Sequence, residues 1–246
     1  MSLYIIEKDH IEKALARDIG EYPEGIVIVL DKPYGWTSSD AVRKIKFKAQ
    51  RFFKVKNIKV GHAGTLDPLA TGVLMICLGR ATKKAEKFQS QEKEYMAEIT
   101  FGSTTSSFDL EKEIDCYYPC EHINIASINA ILPKFIGEQN QVPPIFSAKF
   151  IDGNRAYELA RAGVAKELKP SRITIYDLET LSFDSPVLKL RIRCSKGTYI
   201  RSLARDLGAA LQSGAHLTGL VRTSSGTFSV KNSISIDDLD KLMKVD

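Results

Sequence analysis

The segment GHAGTLDPLATGVL, residues 61–74, holds a single carboxylate, Asp67, among small and apolar residues, with one imidazole, His62, five positions upstream. A carboxylate in such a setting can act as a nucleophile or a general base, provided that it stays ionised. Burial works against that, because losing water favours the protonated acid unless a cation sits beside it. A buried, nucleophilic Asp67 therefore needs an arginine or lysine partner, and Arg201, at a helix start in GTYIRSL, is a candidate. An Asp before Pro is also an ordinary turn former whose side chain accepts backbone N–H groups. The turn is the ordinary reading of this spacing, and the surroundings raise the case for chemistry: Gly61, Gly64 and Gly72 permit close backbone approach, Pro68 fixes a dihedral, and an apolar strand follows.

Charge supplies a second feature. The chain has 246 residues and a net charge of +5, yet RKIKFKAQRFFKVKNIK, residues 43–59, carries eight Lys or Arg and no acid. The remaining 27 basic and 30 acidic residues sum to −3, so the positive field is local. An exposed helix face usually mixes both signs; a run without acids fits a surface that tracks phosphates. Other chemistries find less support. Cys116, Cys120 and His122 lie close together in CYYPCEH, but a structural zinc site normally takes four ligands, and Cys77 and Cys194 fall in apolar strand patterns that suit burial. No metal site is expected. Neither G-x-G-x-x-G nor a P-loop occurs, nor does a serine hydrolase elbow. No apolar run approaches the roughly 18–20 residues of a membrane span, and the charged N-terminus lacks a secretory pattern, so a cytoplasmic location is expected.

These residues must be positioned by alternating elements. EGIVIVLDKP reads as a buried strand running into a turn at Lys32-Pro33, and TSSDAVRKIKF as a helix with Ser38 or Ser39 as N-cap and Val42, Ile45, Ala49 and Phe52 at helical spacing. GVLMICLG is a second buried strand closed by Gly79, and EYMAEITFG a third ending at Gly102. SINAILPKFIG has helical spacing limited by Pro133, and NRAYELARAG a helical pattern closed by Gly163. RITIYDLETLSF and VLKLRIRCS are strands, the second alternating strictly with Leu188, Leu190, Ile192 and Cys194 on one face. YIRSLARDLGAALQSG is an amphipathic helix stopped by Gly214. Consecutive strands with one wet face argue for an α+β fold with a mixed, mostly antiparallel central sheet flanked by helices.

GHAGTLDPLATGVLMICLGRATK resembles the central loop of the bacterial TruB-type tRNA pseudouridine synthases, which make the T-loop pseudouridine at tRNA position 55. LDKPYGWTS (30–38), KEYMAEITFG (93–102), PPIFSAKFIDGNRAYELARAG (143–163), KGTYIRSLARDLG (196–208) and GAHLTGLVRT (214–223) extend the likeness in the family's order. The resemblance implies the pseudouridine synthase fold, tRNA isomerisation without cofactor or metal, and the T-arm stem-loop as partner of a monomer. It implies that Asp67 is the nucleophile, that His62 is used within the RNA loop, and that Lys83 is a basic residue near the substrate. Tyr95 would stack on the target base, Tyr199 would stand beside the pocket, Arg201 would pair with the catalytic carboxylate, and Leu220 would contact the uracil. STTSSFD departs from the family's usual segment after the Tyr95 strand, keeping Asp109 but not an earlier acid. The expected organisation is an N-terminal extension over 1–22 and one catalytic domain over 23–246, with an RNA-gripping insertion at about 121–165 and no C-terminal RNA-binding domain. A non-catalytic RNA-binding or tRNA-folding module is the alternative.

Overall fold

In a computed structural model the described residues are 3–147, 150–151, 154–155 and 168–244. The chain divides into two compact units, Met1–Tyr95 with Val221–Asp246, and Met96–Leu220. Two strands, β5 (Lys93–Phe101) and β13 (Ala215–Ser225), each contribute residues to both.

The first unit is built on β2 (Ile26–Lys32) and β4 (Ala70–Leu78), paired antiparallel from Ile26–Leu78 to Lys32–Gly72. Their near-continuous apolar sequences are buried on both faces: Val27, Val29, Val73, Met75 and Cys77 join one cluster with Ala63, Ala81, Phe88 and Phe228, while Ile26, Ile28, Leu30, Leu74, Ile76 and Leu78 fill the other side. Strand β1 (Tyr4–Ile6) adds to β2 in parallel, β3 (Val60–His62) to β4 antiparallel, and the order runs β1-β2-β4-β13, with β14 (Phe228–Ser229) on β13. Residues 4–6 are thus part of this sheet.

Helix α1 (Ser38–Phe52) buries Ala41, Ile45, Ala49 and Phe52 and leaves its basic residues outward. Its N-cap is Thr37, not Ser38 or Ser39. Thr37 and Asp40 form a reciprocal capping box in which hydrogen bonds from Thr37 pull the Asp40 carboxyl down to about 2. Ser38 is turned inward for another purpose, described below. Two carboxylates answer part of the basic run: Asp40 on Arg43, and Asp240, on the C-terminal helix α5 (Ile236–Leu242), on Lys44 and Lys48. The short helix α2 (Ala85–Gln89) follows a 3-10 turn at Gly79–Lys84.

In the second unit the strand order is β13-β5-β12-β11-β8. Strands β11 (Ser171–Asp184) and β12 (Val187–Cys194) form a long antiparallel hairpin, and β8 (Gly137–Gln141) pairs with the start of β11. The alternation read in β12 holds: Leu188, Leu190, Ile192 and Cys194 are fully buried, while Arg191 reaches Asp177 and Glu179 on the wet face and Lys189 reaches Glu98. Small hairpins join β6 (Ser103–Thr105) to β7 (Ile114–Tyr117) and β9 (Phe150–Ile151) to β10 (Asn154–Arg155). Helix α3 (Ile125–Ile131) gives way to a 3-10 turn containing Pro133, as its sequence anticipates. Asn154 and Arg155 are extended rather than helical, and the rest of the helix anticipated over 154–163 lies outside the described residues, as does part of the 121–165 insertion.

Helix α4 (Ile200–Ala210) stops four residues short of Gly214. Gln212, at φ 56, takes the left-handed position that ends it, and Ser213 N–H donates back to Gly208 O at 2.9 Å. Gly214 serves packing instead, since a Cβ there would stand 2.4 Å from the Tyr118 ring.

Candidate active site

In the first unit, Asp67 lies half-buried in the loop joining β3 to β4, where its own carbonyl accepts from Ala70 N–H at 3.1 Å. The loop has no regular structure, so its shape depends on what holds its backbone, and three side chains do so. Ser38 Oγ donates to Leu66 O at 3.0 Å and accepts from Leu66 N–H at 2.9 Å, fixing the residue before Asp67 to the first turn of α1. Lys32, fully buried at the end of β2, donates from Nζ to Pro68 O at 3.3 Å and also to Pro33 O at 2.9 Å and Trp36 O at 2.6 Å. Arg222 donates to Gly64 O at 3.2 Å, Thr65 O at 3.3 Å and Val73 O at 2.6 Å. The acid is therefore flanked on both sides by pinned peptide units. Gly72, at φ 97, lets β4 pass Arg222: a Cβ there would come within 2.2 Å of the Arg222 carbonyl oxygen.

The electrostatics follow from burial. Loss of water pulls the Lys32 ammonium from its ordinary 10.5 down to about 8, against the opposing pull of the Asp67 carboxylate, the nearest in effect of three acids that favour its charge. Within this unit Lys32 is thus a cation that acts on Asp67. Burial, reinforced by the Arg222 guanidinium, also lowers the His62 imidazole below its usual 6.5, so that the ring is neutral near pH 7.

Of the remaining candidates in this unit, Tyr95 is buried on β5, three residues into the strand. Lys83 is exposed in the 3-10 turn after β4. Eight extended residues, about 26 Å of chain, separate Leu78 from Ala70, so Lys83 stands beyond the opposite end of β4 from Asp67.

The other three candidates belong to the second unit. Tyr199 occupies the N-cap position of α4, where the Gln141 side chain brackets it: Tyr199 N–H donates to Oε1 at 2.8 Å and Nε2 donates to Tyr199 O at 3.1 Å. Arg201, in the first turn, is buried; its guanidinium donates to Ser107 O at 3.2 Å and Phe146 O at 3.0 Å, and Nε lies 3.5 Å from Asp109 Oδ2, with both side chains only 4% exposed. The Asp109 Oδ1 oxygen accepts from Ser107 Oγ at 2.6 Å and Glu111 N–H at 3.0 Å. The acid retained in STTSSFD is thus a buried carboxylate close to Arg201. Leu220 is buried on β13. His122 is occupied by a contact of 2.8 Å from Nε2 to Leu211 O, and among the described residues no group of His, Cys, Asp or Glu is arranged to hold a metal ion.

Four residues that shape these surroundings were not singled out from the sequence: Lys32, Ser38 in its inward role, Arg222 and Gln141. Lys32 carries a faint signal as the cation ending an apolar strand. Arg222 carries a similar one in HLTGLVRTSS, whose residues are otherwise nearly all uncharged.

The surroundings of Asp67 suit a held carboxylate that attacks or accepts a proton, with an ammonium in electrostatic reach. The family described as "TruB family pseudouridylate synthase (N terminal domain)" matches residues 50–200, and "tRNA pseudouridylate synthase B C-terminal domain" matches residues 201–245. A protein of Parabacteroides distasonis named tRNA pseudouridine synthase B is 52% identical over 91% of this chain and 95% of its own length. One of the same name from Francisella philomiragia is 45% identical over 88% of this chain and 70% of its own. Among solved structures, a chain of the archaeal box H/ACA sRNP Nop10-Cbf5 complex superposes with a TM-score of 0.61 at 29% identity, over 89% of this chain and 53% of that one, so this chain spans about half its length. A chain of an H/ACA RNP bound to a substrate RNA containing 2′-deoxyuridine gives a TM-score of 0.64 at 26% identity, over 98% and 67%.

Proposed function

Because the chain belongs to the TruB family of pseudouridylate synthases, which are isomerases, we propose that it converts the T-loop uridine at position 55 of tRNA to pseudouridine, with Asp67 as the catalytic carboxylate. The observation that carries this reading is the loop at Asp67, pinned on both sides by Ser38, Lys32 and Arg222. Elaborate fixing of an irregular loop around one acid is what positioned chemistry requires, whereas a turn-forming Asp requires none of it.

The reaction breaks the N1–C1′ bond, turns the uracil, and joins C1′ to C5. The proton on C5 is lost and N1 gains one, so atoms balance without a cofactor. An ionised carboxylate serves each available route, whether it attacks the ribose, attacks the base or removes a ribose proton. The target must leave its stack, which costs up to a few kcal/mol and least for an unpaired loop base. Tyr95 is assigned to stacking on the extruded uracil, an interaction worth about 1–3 kcal/mol. His62, neutral near pH 7, is assigned to the RNA loop, with Tyr199, Arg201 and Leu220 as further substrate-binding residues. Lys83, a basic residue in the turn after β4, is read as a phosphate contact of the substrate. The enzyme is proposed to act as a monomer.

The experiment is release of tritium from C5-labelled T-arm RNA. Wild-type protein releases it, and Asp67→Asn reduces the rate by about 10²- to 10⁴-fold or more. An Asp67→Asn protein as active as wild type refutes the assignment. Equal rescue of misfolded tRNA by both proteins, with no isomer formed by either, would replace it with the RNA-folding reading.

A further inference from the structure

The basic run on α1 continues into a pocket unconnected with the Asp67 loop's own packing. Lys44, Phe47, Lys48 and Arg51, spaced three and four apart, form one face of the helix and line an open cleft of about 310 Å³ together with Asp240 and Lys244. Four cations meet one carboxylate there. Asp240 holds Lys44 at 3.7 Å and also engages Lys48, which fixes two ammonium groups side by side. The C-terminal segment is itself tied down, since Arg17 donates to Lys244 O at 3.3 Å.

Phe47 is the aromatic member of this face. It is 59% exposed in the middle of this cationic face, with the Arg51 guanidinium 5.4 Å from its ring centroid. The ring and the guanidinium together present a cation–aromatic pair to solvent. Aromatic and cationic groups interleaved in one cleft are what an unpaired nucleotide requires: a face for the base and positive charge for the flanking phosphates.

We propose that this cleft is a nucleotide subsite, in which the base of an unpaired nucleotide of the RNA substrate stacks on Phe47 while Lys44, Lys48, Arg51 and Lys244 hold the flanking phosphates. The proposal rests on the RNA-modifying function proposed above and extends it to a second contact. Phe47 lies nine residues along α1 from Ser38, about 14 Å of helix, and Ser38 holds the residue beside Asp67. The proposal assigns both contacts to the same RNA.

The test uses full-length protein and transcribed tRNA, with the dissociation constant measured across a salt series and pseudouridine formation followed in parallel. Phe47→Ala is expected to weaken binding about 5- to 100-fold, with the loss falling on KM more than on kcat, and Phe47→Tyr to restore it. Lys44→Gln with Arg51→Gln is expected to flatten the slope of log K against log salt by about 1.4, and Asp240→Asn to tighten binding. An active enzyme whose Phe47→Ala variant binds tRNA as tightly, with an unchanged slope in the double variant, overturns the subsite and leaves the proposed function intact. Binding that depends on Phe47 in a protein forming no pseudouridine does the reverse. A change of oligomeric state in Phe47→Ala with RNA binding untouched assigns the cleft to a second copy of the chain and also overturns the subsite.

Discussion

Lys32 offers a sharp test of how the Asp67 loop is held. Burial lowers its ammonium from 10.5 to about 8, so between those pH values the unfolded chain carries a proton that the folded chain has released. Stability must then rise with pH through that window, because the unfolded state binds more protons. The span of about 2.5 units corresponds to about 3 kcal/mol. Below pH 8 this is a standing cost of keeping the ammonium dry. Replacing Lys32 by Met removes both the cost and the hydrogen bonds. Pro68 O keeps the Gly35 N–H at 2.9 Å, whereas Pro33 O and Trp36 O lose the Lys32 donor, at about 1–3 kcal/mol each. The two effects nearly offset near pH 7, and the net change there should stay within about 3 kcal/mol. The informative quantity is the difference between the two proteins across pH 7.5 to 10.5, measured by urea unfolding. That difference also cancels Cys77, whose thiol burial pushes up to about 11 and whose contribution falls as pH rises through 9 to 11. Wild type should gain about 3 kcal/mol relative to Lys32→Met over this range. Parallel curves would show that Lys32 does not carry a buried charge and would remove it from the electrostatics of Asp67.

Three further outcomes are expected. Ser38→Ala deletes both hydrogen bonds to Leu66, lowering stability by about 1–2 kcal/mol and kcat about 10- to 100-fold, which unfolding curves and single-turnover rates will separate. Asp109→Ala removes a buried carboxylate 3.5 Å from the Arg201 guanidinium and the acceptor of Ser107 Oγ and Glu111 N–H, and should lower stability in urea by about 1–3 kcal/mol; an unchanged unfolding curve would refute a structural part for this acid. The His62 ring, followed by NMR, should titrate below 6.5, so tRNA affinity should be insensitive to this group between pH 7 and 8, and stability should drop as pH falls below 6.5 because the unfolded chain then takes up the proton first.

Periodic burial was legible in the sequence. The apolar pattern of α1 and the strict alternation of β12 each reflect one face against a core, and both elements appear with little change at their cores. Ends were less legible. The side chain that caps α1 depends on which of Thr37, Ser38 and Ser39 is free to do so, and Ser38 is claimed by Leu66, 28 residues away. The stop of α4 falls at a left-handed Gln212, a conformation that sequence rules reserve for glycine or asparagine. The same remoteness hid the charges. Lys32 and Arg222 are buried because backbone carbonyls of an irregular loop accept from them, and no local pattern shows where those carbonyls point. Asp67 and its glycines were legible as a candidate; the groups that hold the loop arrive from distant parts of the chain. Asp240, which answers two lysines of the basic run, lies 192 residues beyond Lys48.

The position of Arg222 in the chain carries a consequence for synthesis. Its two contacts with the Asp67 loop and one with β4 unite residues 64–73 with a segment made some 150 residues later. A ribosome that has released only the first two hundred residues has delivered the acid but not the guanidinium that shapes its loop. Chains that end before residue 222 should therefore lack the donor to Gly64, Thr65 and Val73 and leave this loop unshaped.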